Sequence, residues 1–150
     1  MKTTSLELSK RIAELEGGNG VSESQWRIDW IAGDGGIEKE GALLVHGENY
    51  ETKGTNENGQ TYGTYLISAY TTDELSDLLP YMIEKKPDDN DKVEKWFLSI
   101  HKTELNWLTR YTWYYYEPMD DITQQAETMV ESMGLMYEHL LKEGIIKSKE

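Results

Sequence analysis

Apolar and polar positions along the chain change period several times, and each change marks an element. From Ser24 to Ile31, Trp26, Ile28 and Trp30 alternate with Gln25, Arg27 and Asp29, which predicts a strand with one apolar and one polar face. Leu8, Ile12 and Leu15 recur instead at i, i+4 and i+7. That spacing predicts an amphipathic helix from about Ser5 to Glu16, opened by a capping box of Thr4 with Glu7 and stopped by Gly17-Gly18-Asn19-Gly20. Leu75, Leu78, Leu79 and Met82 repeat the helical spacing behind a second capping pair, Thr71 with Glu74. Pro80 ends or kinks that helix, since it lacks a donor and disfavours helical geometry at Leu79. A third stripe runs through Ala126, Met129, Val130, Met133, Tyr137, Leu140 and Leu141, behind Asp121 with Gln124, and Gly144 stands at its C-cap. Gly134 inside it costs about 1 kcal/mol relative to Ala, and close packing against an aromatic sheet is its expected reason.

That sheet is centred on the stretch from Lys95 to Glu117. Two extended runs, 94–102 and 106–117, flank the polar turn His101-Lys102-Thr103-Glu104 and carry eight of the sixteen aromatic side chains. Rings and β-branched residues suit a pleated surface, and cross-strand aromatic pairs stabilise it. Trp107, Tyr111, Trp113 and Tyr115 share one parity, while Leu108, Tyr114 and Tyr116 share the other. Both faces of this hairpin are therefore expected to have a partner. Further strands are expected at 36–48, an ambiguous segment with Gly41 and Gly47, and at 62–70. Residues 49–61 read as a mobile loop or hairpin tip, and 147–150 as a frayed tail. The sum is one α+β domain over 1–150. A mostly antiparallel twisted β-sheet of about five strands has three helices packed on it, in the order α-β-β-β-α-β-β-α.

Composition narrows the function. The 28 acidic residues exceed the 15 basic ones, a net charge of -13, which opposes direct nucleic-acid binding because phosphate contacts need clustered cations. A charge of this sign suits solubility, or a partner with a basic groove. The chain has no cysteine, so disulfides and thiolate chemistry are excluded. No apolar run reaches the roughly 18 residues of a spanning helix, and the first residues carry no apolar signal core. A soluble protein of the host-cell cytoplasm is expected, with no membrane association.

Candidate chemistry is sparse. His46, His101 and His139 lie in separate segments without ligand spacing. Asp73, Asp77, Asp120 and Asp121 stand at expected helix starts, where capping explains them. The glycine runs match no phosphate-binding pattern, and Asp88-Asp89-Asn90-Asp91 lacks the glycine and distant glutamate of a calcium loop. Catalytic residues, metal ligands and cofactors are accordingly expected to be none. The candidate binding surface is aromatic: Trp107, Tyr111, Trp113, Tyr114, Tyr115 and Tyr116, residue types that anchor interfaces and stack on bases. Arg27, Lys95, Lys102 and Arg110 are the cations expected near it.

The stretch Tyr65-Leu66-Ile67-Ser68-Ala69-Tyr70-Thr71-Thr72-Asp73-Glu74-Leu75-Ser76-Asp77-Leu78-Leu79-Pro80, followed by the aromatic hairpin and by Leu140-Leu141-Lys142-Glu143-Gly144-Ile145-Ile146, resembles small uncharacterised phage and prophage proteins with an α/β/α sandwich-like fold. Ser5 to Lys10 adds an echo. The resemblance implies a phage or mobile-element setting and transfers no catalytic residue. The function expected from the residues is non-enzymatic binding of a macromolecule, either a protein partner or a second copy. The alternatives are an acidic inhibitor of a host nucleic-acid or defence enzyme, and a protein sequestering a nucleotide-like ligand between aromatics.

Overall fold

The computed structural model describes residues 2–17, 20, 22–33, 36–47, 51–85, 93–113 and 121–147. Within them the order is α1 (Leu6–Glu16), β1 (Ser24–Gly33), β2 (Gly36–His46), β3 (Thr52–Thr55), β4 (Thr61–Ser68), α2 (Thr72–Leu78), β5 (Met82–Lys85), β6 (Glu94–Lys102), β7 (Trp107–Trp113), β8 (Asp121–Ala126) and α3 (Met129–Lys142). The class is α+β with three helices, and every described strand pairing is antiparallel. The strands form two sheets of four, ordered β2-β1-β4-β3 and β5-β6-β7-β8. Strand groups and helices follow one another as the patterns predict. The additions are β3, β5 and β8, all short and all at sheet edges.

Local chemistry fixes the helix ends. Thr71 and Glu74 form the expected reciprocal capping box, and Leu79 ahead of Pro80 is extended, which ends α2. The cap of α1 is Ser5, whose hydroxyl accepts from the Leu8 amide, rather than Thr4. Thr4 is committed elsewhere: its amide donates to the Tyr70 carbonyl at 2.8 Å, and its hydroxyl accepts from the Tyr70 amide at 3.1 Å. Asp121 and Gln124 cap nothing, because Asp121–Ala126 pairs along β7 from Thr112↔Asp121 to Trp107↔Ala126. Thr128 caps α3 instead. Residues 51–61 take the second of the two expected forms, a hairpin tip: Asn56 Oδ1 accepts the amides of Asn58 and Gln60 at 3.0 and 2.9 Å, closing the turn between β3 and β4. Residues 49–50 and 148–150 lie outside the described residues.

The helices lie between the two sheets. Helix α3 packs on β7 and β8, α1 packs on α3 and on β4, and α2 packs on α3. The layering is sheet, then helices, then sheet. Two separate sheets, each with one apolar inner face, can share a single helix layer. Helices α1 and α3 run parallel. Ser5 donates from its amide and hydroxyl to Glu131, and Arg11 Nε reaches Glu138 Oε2 at 2.7 Å. Midway, a Cβ added to Gly134 would sit 2.7 Å from Leu8 Cδ2 and Thr4 Cγ2. Gly134 is therefore required by α1, not by the aromatic sheet. One core results, built from Leu8, Ile12, Tyr70, Leu75, Leu79, Ile83, Trp96, Tyr111, Val130, Met133, Met136, Tyr137 and Leu140.

Candidate functional site

The aromatic hairpin separates into an inner and an outer face by strand parity. Trp96, Leu98 and Ile100 on β6 stand opposite Trp113, Tyr111 and Thr109 on β7, and this set faces α3, where the hydroxyls of Thr109 and Ser132 meet at 2.9 Å. Tyr111 is 0% exposed, and its hydroxyl donates to the Pro80 carbonyl at 2.6 Å. Burial holds that hydroxyl well above its ordinary titration range. Expected as part of a binding surface, Tyr111 is instead a core residue, because its parity points it under α3. Trp113 is half-buried against the same core and stacks on Trp96 with centroids 6.4 Å apart and planes at 23°. Trp107 is half-buried at the strand end, with Lys102 Nζ 5.8 Å from its ring. Tyr114, Tyr115 and Tyr116 lie outside the described residues.

Around the Trp96–Trp113 stack the rings are already engaged. Lys85 Nζ sits 4.7 Å above Trp96, and the Trp96 indole donates to Glu94 Oε2 at 3.2 Å. Near them an open cleft of about 640 Å³ runs between Lys85, Asp121 and Gln124 on the strands and His139, Glu143 and Ile145 at the end of α3. It gathers one lysine, one histidine and two carboxylates at an open rim, where water screens their interactions. Among the described residues no three His, Asp or Glu side chains converge as a metal site requires. His46 and His101 are strand residues of different sheets.

Two arrangements of reactive groups escape sequence reasoning. Ser24 and His46 are cross-strand partners, and Ser24 Oγ lies 2.9 Å from His46 Nδ1. A nucleophile of this kind needs a third group to orient the base and donors for an oxyanion. No described contact supplies either. The second is the buried carboxylate of Glu16, the last residue of α1 and 3% exposed. Tyr70 and Tyr137 both donate to its Oε2, at 2.5 and 2.8 Å, and their rings meet edge to face at 5.6 Å. Burial raises the Glu16 carboxyl above its ordinary range, outweighing the two hydroxyl donors that pull it down. Tyr137 is likewise pushed up, first by burial and then by Glu16. This cluster ties the end of α1 to the segment that follows β4 and to the middle of α3. None of its three residues lines the cleft, and its buried hydrogen bonds hold these elements together.

Among the large apolar side chains left exposed, Leu105 and Tyr81 are the most exposed and lie outside the strands, and three others stand on the outward faces of strands. Phe97 on β6 is 40% exposed, Tyr62 on β4 is 45% and Leu43 on β2 is 53%. No helix among the described residues is long and apolar enough to cross a membrane. The chain matches no protein-family model, no curated protein and no solved structure.

Proposed function

We propose that this protein acts by binding another macromolecule and carries no reaction of its own, in the phage or mobile-element setting that the resemblance implies. One contrast supports the reading: the carboxyl of Glu16 and the hydroxyls of Tyr111 and Tyr137, each raised chiefly by burial, are sealed inside the fold, while large apolar side chains stand outward on both sheets. Exposed apolar groups gathered on a rigid sheet are what an interface needs, and sealed ionisable groups are of no use to a substrate. The test is affinity capture with the wild-type chain, Leu43→Asp and Phe97→Asp as baits. A partner retained by the wild type and lost with one of the two variants supports the reading. A turnover activity that survives both substitutions and disappears in Glu16→Gln overturns it.

The acidic-inhibitor reading has its own observation. Glu7, Glu14, Asp73 and Asp77 are exposed on α1 and α2, so carboxylates project from the helices rather than from the apolar sheet faces. A basic groove would dock on that side, and capture would fade as salt rises. Capture insensitive to both salt and helix charge reversal counts against it.

A further inference from the structure

The outward face of the N-terminal sheet is distinguished by what it lacks. Register sets the rows: Arg27 lies between Leu43 and Leu66, Asp29 between Gly41 and Thr64, and Ile31 is followed across β4 by Tyr62. Leu43 and Tyr62 are exposed, and Leu66 and Ile31 are half-buried. The one acidic side chain on the outward positions of β1 and β4 is Asp29, and it is balanced by Arg27, whose Nε lies 3.6 Å from its Oδ2. On an acidic protein, this face carries no negative excess along those strands. Beside Asp29, Gly41 leaves open space, since a Cβ built there meets nothing within 4 Å.

We infer that this face docks a second copy of the chain, as a two-fold dimer in which Arg27 of each copy meets Asp29 of the other. Charge decides the occupant. A basic partner steered by the net charge of -13 would find on the outward positions of β1 and β4 a single carboxylate, with Arg27 already beside it. The surface that does complement it is apolar, carries no net charge on its central strand and has one cation and one anion two residues apart on that strand. The face itself meets that description. A two-fold axis lying in the interface, parallel to the sheet and perpendicular to β1, and passing between the levels of Arg27 and Asp29, brings each guanidinium to the opposite carboxylate in one operation, because such contacts are self-complementary by symmetry. Sheets pack face to face at about 10 Å, with Leu43, Leu66 and Tyr62 supplying the apolar contact and the Gly41 notch giving the incoming Arg27 access to Asp29. The inference goes beyond the binding reading by naming the occupant of one face. A monomer that still captures a partner ends the inference and leaves that reading in place.

Salt gives the dimer its signature. Two copies repel at long range through their acidic helices, and added salt screens that repulsion, so self-association tightens as ionic strength rises, opposite to an acidic–basic complex. Sedimentation equilibrium of the full chain over about 1–300 µM, a span covering weak dimers, in roughly 0.15 and 0.5 M salt, is the test. The expected result is a dimer that tightens in the higher salt, with Leu43→Asp weakening it by at least about tenfold while the thermal midpoint measured at a concentration that keeps both chains monomeric stays unchanged. Arg27→Asp and Asp29→Arg each weaken self-association similarly, and mixing those two variants yields a heterodimer tighter than either alone. Three results overturn the inference: a monomer throughout, a dimer indifferent to Leu43→Asp, or no heterodimer on mixing.

Discussion

The two sheets have the same strand number and the same antiparallel pairing, yet they meet the helices differently. In the C-terminal sheet Trp96, Tyr111 and Trp113 turn toward α3 and become core. In the N-terminal sheet Ile28 is fully buried on the inner face, while Tyr62 and Leu43 stand on the outer one. The difference follows from the helices. Helix α3 lies along β7 and β8, whereas α1 touches β4 and turns its other side to α3. A strand rich in aromatics therefore marks a place where a helix needs a large apolar floor. The surface left for a partner belongs to the sheet whose sequence is less conspicuous.

This contrast can be broken from the core side first. Tyr111→Ala removes a buried ring and leaves the Pro80 carbonyl without its donor, so stability should fall by about 3–5 kcal/mol in urea unfolding. A loss below about 1 kcal/mol, typical of a surface site, would show the ring to be outside the core. Gly134→Ala comes next: a new Cβ 2.7 Å from Leu8 and Thr4 must push α1 off α3. The expected cost of about 1–3 kcal/mol from overpacking exceeds the helix-propensity gain of about 1 kcal/mol. At the outer surface, Leu43→Asp should change the stability of the monomer by no more than about 0.5 kcal/mol. Urea midpoints of the three variants, measured under conditions that keep the chain monomeric, place them in that order if the account is right.

The pH dependence sharpens the same division between sealed and open groups. Burial holds the Glu16 carboxyl above the ordinary value of 4.5, so the native state binds that proton more tightly than the unfolded chain does. The stabilisation from Glu16 is fully present below the unfolded value and is lost as pH rises through the folded one. Repulsion among the exposed carboxylates has the same sign, since acidification relieves it. Comparing Glu16→Gln with the wild type separates the two. The variant should lose part of the decline in stability with rising pH and keep the part due to the surface. Identical profiles for the two chains would show that Glu16 titrates as it does in the unfolded state.

Much of this was legible in the residues, and the rest was not for definite reasons. The alternation of Trp26, Ile28 and Trp30 and the box of Thr71 with Glu74 are local patterns, and the structure forms both. The strands β3, β5 and β8 pair on one side only, which lets sequences as polar as Asp121–Ala126 take their bonds from a neighbour without apolar alternation. The Thr4 cap failed by one residue because Thr4 is held by Tyr70, 66 positions away. The Glu16 cluster joins residues separated by 54 and 121 positions, beyond the reach of any periodicity. The parity of Trp107, Tyr111 and Trp113 was readable, but which face the helix covers depends on where α3 returns.

The central claim is that the outward face of β1, β2 and β4, and not the aromatic hairpin, is the contact surface. Hydroxyl-radical footprinting of the full chain at low and at high protein concentration tests it side chain by side chain. The account predicts that Leu43 and Tyr62 lose reactivity as concentration rises, while Phe97 and Tyr81, exposed in and beside the other sheet, keep theirs. Unchanged reactivity at Leu43 and Tyr62, or protection at Phe97 instead, would contradict it.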